Sequence, residues 1–375
     1  MLKAKRSVTR AIVIDDSPTA QKLLVTILQE AEGIEVVGVG KDGEEAVRLT
    51  RRLRPDVVTM DVRMPKMDGL EATRRIMHET PTPIVIVTAD LMQADMNLTF
   101  EALRAGALTV VGKPGLDDTE TCAKVIQTVR LMADVPVVHH WDRREWRPPE
   151  ALEMPHPPAL ANATVPLAKR ESQRHWQMIG IASSTGGPAT LAKILAQLPT
   201  SFPVPILVVQ HVTNGFVTGL AEWLDSVTPL HVGLASHGET PQPGAVLFAP
   251  DDYHIQVNSQ GVVELYKGPP YKGLRPSANY LFHSLARAYG RRVIGIVLTG
   301  MGDDGAEGLL AMRQAGGLTL AQDEQTCVVY GMPREAIALD AVDEVLPLDQ
   351  IAPTLDRLTG YPSRNAASVD PGLGF

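Results

Sequence analysis

The stretch Ala11-Ile-Val-Ile-Asp-Asp-Ser-Pro18 decides the fold of the first third of the chain. Four apolar residues rich in β-branching end in two adjacent carboxylates. Ser17 then stands where a helix cap belongs, with proline at the first helical position. Leu23, Leu24, Ile27 and Leu28 follow at three- and four-residue steps, the apolar stripe of a helix. Working outward, the same alternation continues. Short apolar runs at Glu35–Val39, Asp56–Met60, Ile84–Val87 and Leu108–Val111 are separated by helix-periodic segments up to about Met132. Five strands alternating with helices predict a doubly wound parallel α/β sheet, whose sites sit beyond the carboxyl ends of the strands.

From about Asp134 to Ser172 the pattern dissolves. Seven prolines (Pro136, Pro148, Pro149, Pro155, Pro157, Pro158 and Pro166) and no sustained periodicity read as a semi-extended linker. Apolar runs return at Met178–Ala182, Ile206–Gln210, Val246–Ala249, Val293–Leu298 and Leu318–Ala321, with helical segments such as Leu191-Ile194-Leu195-Leu198 between them. Residues Ile255–Leu265 read as a hairpin turning at Asn258–Gly261. A second α/β unit is therefore expected. The boundaries are 9–132 for the first unit, 133–173 for the linker, 174–361 for the second unit, and 362–375 for a disordered tail.

A chain of 375 residues exceeds what one core supports, in keeping with two units. Its formal net charge is −8, and from Trp176 to Phe375 there are 11 Lys/Arg against 18 Asp/Glu. A nucleic-acid-reading module would show a basic patch, and none is visible, so no nucleic-acid partner is expected. Cys122 and Cys327 form neither a disulfide framework nor a metal motif. Met1 to Arg10 is basic without the apolar core of a signal peptide, and no apolar run reaches membrane-span length. The expectation is a cytoplasmic protein without direct membrane insertion, brought to any membrane by a partner.

Placing polar residues at the strand ends of the first unit gathers a constellation. Asp15 and Asp16 follow the first strand, Asp61 the third, Thr88 the fourth, and Lys113-Pro114 the fifth. Three converging carboxylates repel unless a divalent cation sits among them, and an oxygen-only ligand set favours Mg2+. A carboxylate beside a cation, a hydroxyl and an ammonium is suited to accept a phosphoryl group. Any one of these residues alone would more often be a helix cap or a strand end. Their joint occurrence is specific. With Met64-Pro65 and Met67-Asp68-Gly69, residues 9–132 resemble the response-regulator receiver family, which implies a flavodoxin-like fold. The resemblance implies Asp61 as phosphoacceptor, with Mg2+ held by Asp15 (through water), Asp16, Asp61 and the Arg63 carbonyl, Thr88 and Lys113 on the phosphate, and a histidine kinase as donor. One departure stands out. Three residues before Lys113 the family usually has Phe or Tyr, whereas this chain has Val110, so an aromatic switch cannot operate there.

In the second unit, Ile181-Ala-Ser-Ser-Thr-Gly-Gly-Pro188 joins a strand to a helix through a turn of small residues. A serine on such a turn is exposed above the sheet, and nearby helix amides can stabilise an oxyanion. The same turn could instead cradle a phosphate, but no matching basic residue or ribose-binding acid accompanies it. His211 follows the next strand and should emerge on the same edge as a general base. Thr299-Gly-Met-Gly-Asp-Asp-Gly305 follows another strand and offers an acid to orient it. From the residues alone, Ser183 competes with Ser184 and Asp303 with Asp304.

Ser183–Pro188, Gln210-His211, Ala249-Pro250 with His254, Thr299–Gly305, and Gln322-Asp323-Glu324 leading to Gly331-Met332-Pro333 resemble chemotaxis protein-glutamate methylesterases, whose catalytic domain is Rossmann-like. The resemblance covers about residues 176–350. It implies Ser184 as nucleophile, His211 as base, Asp304 as acid, Thr185 and the Met301 backbone at the oxyanion site, His254 at the cleft rim, and no cofactor in the esterase site. It also implies hydrolysis of glutamyl γ-methyl esters on the cytoplasmic helical domain of chemoreceptors at membrane arrays, with deamidation of receptor glutamines as a further activity. A methylesterase of a non-chemotaxis receptor and a non-catalytic receptor adaptor are the alternatives. After Arg275-Pro276-Ser277 the family usually continues Val-Asp, whereas this chain has Ala278-Asn279, a difference expected to touch the substrate cleft.

Overall fold

In the computed structural model, which describes residues 8–88, 93–115, 118–135, 137 and 175–360, each acidic turn of the first unit starts a helix. Strands β1 (Thr9–Ile14), β2 (Ile34–Gly40), β3 (Val57–Met60), β4 (Ile84–Thr88) and β5 (Thr109–Gly112) alternate with helices α1 (Pro18–Glu30), α2 (Gly43–Leu53), α3 (Gly69–Glu79), α4 (Gln93–Arg104) and α5 (Thr119–Ala133). Ser17 caps α1 by accepting from the Ala20 amide, and Asp42, Asp68 and Asp118 cap α2, α3 and α5 in the same way. Each cap satisfies an amide that the first helical turn leaves unpaired. All strands are parallel in the order β2-β1-β3-β4-β5, the flavodoxin-like order. β3 and β4 are buried throughout, as central parallel strands must be.

The second unit contains β6 (Met178–Ser183), α6 (Gly187–Leu195), β7 (Ile206–Gln210), α7 (Phe216–Val227), β8 (His231–Leu234), β9 (Ala245–Phe248), β10 (His254–Val257), β11 (Val263–Tyr266) and α8 (Ala278–Tyr289). It continues with β12 (Val293–Val297), α9 (Ala306–Gln314), β13 (Leu318–Gln322), α10 (Met332–Ala338), β14 (Glu344–Leu346) and α11 (Leu348–Thr359). Seven parallel strands run in the order β14-β13-β12-β6-β7-β9-β8, while β10 and β11 form the expected antiparallel hairpin. The chain leaves β6 toward β7 on one side and later adds β12 on the other. The carboxyl ends of β12, β6 and β7 therefore flank the topological switch point, where doubly wound sheets open a crevice. Two edge strands, β8 and β14, were not anticipated. Most of the expected linker and the whole expected tail lie outside the described residues.

The two units touch along α4 and α5. Phe100 of α4 stacks on Trp223 of α7 with ring centroids 5.3 Å apart and planes 18° from parallel, and the Trp223 indole N–H donates to Glu101 Oε1 at 3.3 Å. On α5, Lys124 Nζ lies 3.2 Å from Thr213 Oγ1 and Gln127 Nε2 lies 4.0 Å from Met301 Sδ. Val328 and Val329 pack against the apolar core of the first unit. An aromatic stack contributes roughly 0.5–1.5 kcal/mol beyond the area it buries, whereas an exposed polar bond nets about 1 kcal/mol or less. The α4–α7 contact is thus the stronger anchor and the α5 contact the weaker one.

Candidate active site

β6 ends at Ser183 and α6 begins at Gly187, so Ser184, Thr185 and Gly186 make the whole turn. Gly186 has φ of 80°, which favours glycine, and a Cβ there would come within 2.6 Å of Val328. At Gly187 a Cβ would lie 2.1 Å from Gln210 Oε1. Neighbouring side chains thus demand both glycines. The two serines are now distinguishable. Ser183 is fully buried and its hydroxyl donates to Gln210 Oε1 at 2.6 Å. Ser184 is half-buried, and its hydroxyl makes no hydrogen bond among the described residues. Only Ser184 has a hydroxyl free to react.

Backbone pairing sets the partners beside it. The His211 amide donates to Ser183 O at 2.9 Å and the Ser184 amide to Thr299 O at 3.0 Å, so three adjacent strand ends converge. His211 Nε2 lies 2.9 Å from Asp304 Oδ2, which leaves Nδ1 as the nitrogen free to take a proton. The Ser184 and His211 side chains stand at neighbouring strand ends without a hydrogen bond between them. Such contacts commonly close only when substrate is bound.

Asp304 is 2% exposed and sits against the first turn of α8. Its Oδ1 accepts from Ser277 Oγ at 2.6 Å and the Asn279 amide at 3.3 Å, and its Oδ2 accepts from the Ala278 amide at 2.6 Å. Burial by itself pushes this carboxyl up. His211, the Ser277 hydroxyl and the Ala278 amide outweigh burial and hold it below the usual carboxylate range. Asp303, in contrast, is exposed and pairs with Lys272 at 2.7 Å. The acid in contact with the base is Asp304.

The Thr299–Gly305 loop is braced from below. Gln322 Oε1 accepts from the Thr299 amide at 2.9 Å, and Thr299 Oγ1 donates to Thr185 O at 2.9 Å. Gly331 and Met332 amides both donate to Gly300 O, at 3.0 and 2.9 Å. Gly300 passes so close to the nucleophile that a Cβ would lie 2.7 Å from Ser184 Cβ. The Gln322 and Gly331-Met332 motifs therefore support this loop. The N-terminus of α6 has no side-chain cap, and neither the Thr185 nor the Met301 amide donates a hydrogen bond among the described residues. Free amides beside a nucleophile suit an oxyanion.

His254 departs from expectation. It is fully buried rather than placed at an exposed rim, because Tyr280 of α8 stacks on it with centroids 3.9 Å apart. Its Nδ1 accepts from the Ser277 amide at 3.1 Å and its Nε2 faces Pro269 O at 3.1 Å, so the proton resides on Nε2. Burial pushes its pKa down. His254 braces Ser277, which in turn holds Asp304. Ala278 and Asn279 also lie inside. The Ala278 amide binds Asp304, and Asn279 Oδ1 accepts from the Gly308 amide at 2.7 Å. Their departure from the family pattern falls behind the acid, not on a substrate-facing surface. Sequence reasoning missed Ser277, Gln210 and Gln322 as supports. All three stand in the family motifs, and Gln210 and Gln322 both end strands, but neither signal says which atoms they hold.

In the first unit, Asp15, Asp16 and Asp61 bring carboxylate oxygens within 4.8 Å of one another. Lys113 Nζ lies 2.8 Å from both Asp15 Oδ2 and Asp61 Oδ2. Burial raises the Asp61 pKa, and Lys113 only partly opposes it. A second positive charge beside these oxygens would relieve that cost, so the donor set fits one hard cation. Thr88 is buried at the end of β4, and its carbonyl accepts from the Lys113 amide. At Gly69 a Cβ would lie 2.2 Å from Asp61 O, which explains the glycine after Asp68. Val110 is buried in the same apolar cluster as Phe100.

A response regulator receiver domain model matches residues 11–126 and a CheB methylesterase model matches residues 179–355. The protein-glutamate methylesterase/protein-glutamine glutaminase 1 of Syntrophus aciditrophicus is 44% identical over 355 residues, covering 94% of this chain and 98% of that protein. Number 4 of Myxococcus xanthus is 46% identical over 355 residues, covering 94% of this chain and 97% of that protein. The crystal structure of the Thermotoga maritima CheB methylesterase catalytic domain shares 40% identity, covers 49% of this chain and 98% of that one, and has a TM-score of 0.48.

Proposed function

The chain belongs to the protein-glutamate methylesterase/protein-glutamine glutaminase family, and from that premise we propose that it is a receiver-controlled serine esterase that removes γ-methyl groups from chemoreceptor glutamates, giving chemotactic adaptation. The observation that carries this is a buried His211–Asp304 pair beside the one serine of the turn whose hydroxyl is uncommitted. Ser184 gives its proton to His211, and Oγ bonds to the ester carbonyl carbon. The resulting oxyanion lies against the Thr185 and Met301 amides. Collapse breaks the C–O bond, the leaving oxygen takes the proton from His211, and methanol departs. Water, deprotonated by His211, then releases the glutamate and restores Ser184. With a glutamine substrate the leaving group is ammonia and the steps are the same. Asp304 stabilises the imidazolium throughout.

In the receiver, Asp61 accepts a phosphoryl group from a histidine kinase. Asp15, Asp16, Asp61 and the Arg63 carbonyl would hold Mg2+, which when bound neutralises the phosphoryl oxygens. Lys113 supplies a further positive charge. α5 contacts Thr213 on one side of the crevice and Met301 on the other, which supports a resting state in which the receiver narrows access to Ser184. Phosphorylation then favours an open arrangement. No helix among the described residues is long and apolar enough to cross a membrane. The cytoplasmic helical region of the receptors brings the enzyme to membrane arrays.

The test is methanol release from methylated receptor by the full chain, with and without a phosphodonor. Release should rise with the donor. Asp61→Asn protein should take up no label from acetyl phosphate and should lose the response. No release above background with donor present would reject the esterase reading, and labelled Asp61→Asn would move the phosphosite. A second expectation concerns the weak contact. Lys124→Ala with Gln127→Ala removes both contacts across to the esterase, each netting about 0.5–1 kcal/mol, so the rate without donor should rise about 5- to 30-fold. An unchanged basal rate would exclude the α5 contact from the restraint.

A further inference from the structure

Gln210 has no role in the steps above, and we propose that it is a positioning residue that fixes the spacing between nucleophile and base. It is the last residue of β7 and is 3% exposed. Its carboxamide is fully used. Oε1 accepts from the Ser183 hydroxyl at 2.6 Å, and Nε2 donates to Ser184 O and to His211 O, both at 2.8 Å. Carbonyls can only accept, so they dictate which way the amide faces. The two carbonyls belong to the proposed nucleophile and the proposed base.

The backbone ladder between β6 and β7 stops one residue short of them, with the His211 amide on Ser183 O. Past that point Gln210 is the link between the two residues. The Gly187 amide also donates to Ser184 O at 2.8 Å, so the nucleophile carbonyl is held from two directions. The missing side chain at Gly187 leaves the space that Oε1 occupies. No other side chain satisfies all three groups. Asparagine is one methylene shorter, and glutamate would turn an oxygen toward two carbonyl oxygens. Ser183 supplies the proton that locks Oε1, which gives the buried serine a structural purpose.

This inference rests on the esterase reading, and the test keeps the two apart. Full-length Gln210→Met, Ser183→Ala and Ser184→Ala proteins are assayed for methanol release from methylated receptor with phosphodonor. Labelling of Ser184 by a fluorophosphonate is followed alongside, and active sites are counted from the final label. Gln210→Met should lower kcat about 10- to 100-fold with KM within about twofold, since displacement of reacting groups by about 1 Å costs on this scale. The labelling rate per active site should fall by a similar factor. Ser183→Ala keeps both carbonyl bonds and should retain kcat within about threefold, given that it removes no group from the reaction. The pH at which activity is half-maximal should stay where it is in both. A kcat for Gln210→Met within about twofold of wild type would overturn the proposal, as would a loss explained wholly by fewer countable sites. Equal losses in Ser183→Ala and Gln210→Met would also overturn it. Full activity in Ser184→Ala would instead overturn the esterase reading itself.

Discussion

Ser184→Ala protein should release methanol from methylated receptor roughly 10^4- to 10^6-fold more slowly than wild type, the range expected when a serine hydrolase loses its nucleophile. The size follows from what is removed. Without Oγ no acyl-enzyme forms, and the remaining rate comes from water held near His211 and the free amides. The substitution should cost almost nothing in stability, because the hydroxyl is half-exposed and makes no hydrogen bond among the described residues. Ser183→Ala should behave in the opposite way. It leaves Gln210 Oε1 without its donor in a buried site, which costs roughly 1–3 kcal/mol of folding stability, while the chemistry persists. Thermal melting and methanol release measured on both proteins therefore separate the adjacent serines along two axes. A Ser184→Ala enzyme within tenfold of wild type, by the same reasoning on nucleophile loss, would remove Ser184 from the mechanism.

The contrast between these serines shows where the sequence runs out. Strand ends were legible because apolar runs and caps mark them, and strand ends place Asp15, Asp61, Thr88, Lys113, His211 and the Thr299 loop correctly. The edge strands β8 and β14 were not legible. His231–Leu234 and Glu344–Leu346 are too short to show a period and carry polar residues that edges tolerate. Support around the site was hidden for a different reason. Ser277 reaches Asp304 across 27 positions and Gln210 reaches Ser184 across 26, and no local pattern encodes such contacts. His254 illustrates the same limit. Its neighbours in sequence suggest a hairpin end at the surface, but Tyr280, on a helix that arrives later in the chain, covers it.

Val110 bears on how phosphate is sensed. The usual aromatic is missing at that position, yet the cluster around Val110 contains Phe100, and Phe100 stacks on Trp223 of the esterase. An aromatic contact thus lies at the interface itself, on α4, rather than on β5. A shift of α4 would be felt directly by α7. In the proposed regulation, a firm α4 anchor with a weak α5 contact would let the receiver loosen over the crevice while it stays attached.

Asp304→Asn should lower kcat about 10^3- to 10^4-fold with little change in KM, the scale set by losing the charge that supports a catalytic imidazolium. The Asp304 surroundings favour one orientation of the new amide. Its oxygen takes the Oδ2 place, because the Ala278 amide donates there and His211 Nε2 lies 2.9 Å away. The amide nitrogen then faces Ser277 Oγ, whose hydroxyl can rotate to accept, and it displaces the weaker 3.3 Å bond from the Asn279 amide, which keeps Ser277 Oγ as its acceptor. The fold survives and the imidazole stays oriented, but the ionic partner is gone. The loss should therefore be confined to steps in which His211 carries a proton. Acid stability provides an independent reading. The folded-state pKa of Asp304 is depressed, so the carboxylate contributes stability above the ordinary aspartate range that is lost as pH falls through its folded value. Asp304→Asn should remove that contribution and flatten the acid side of the stability curve. A variant that keeps more than a tenth of wild-type kcat would show that the charge on Asp304 is not what sustains the imidazolium.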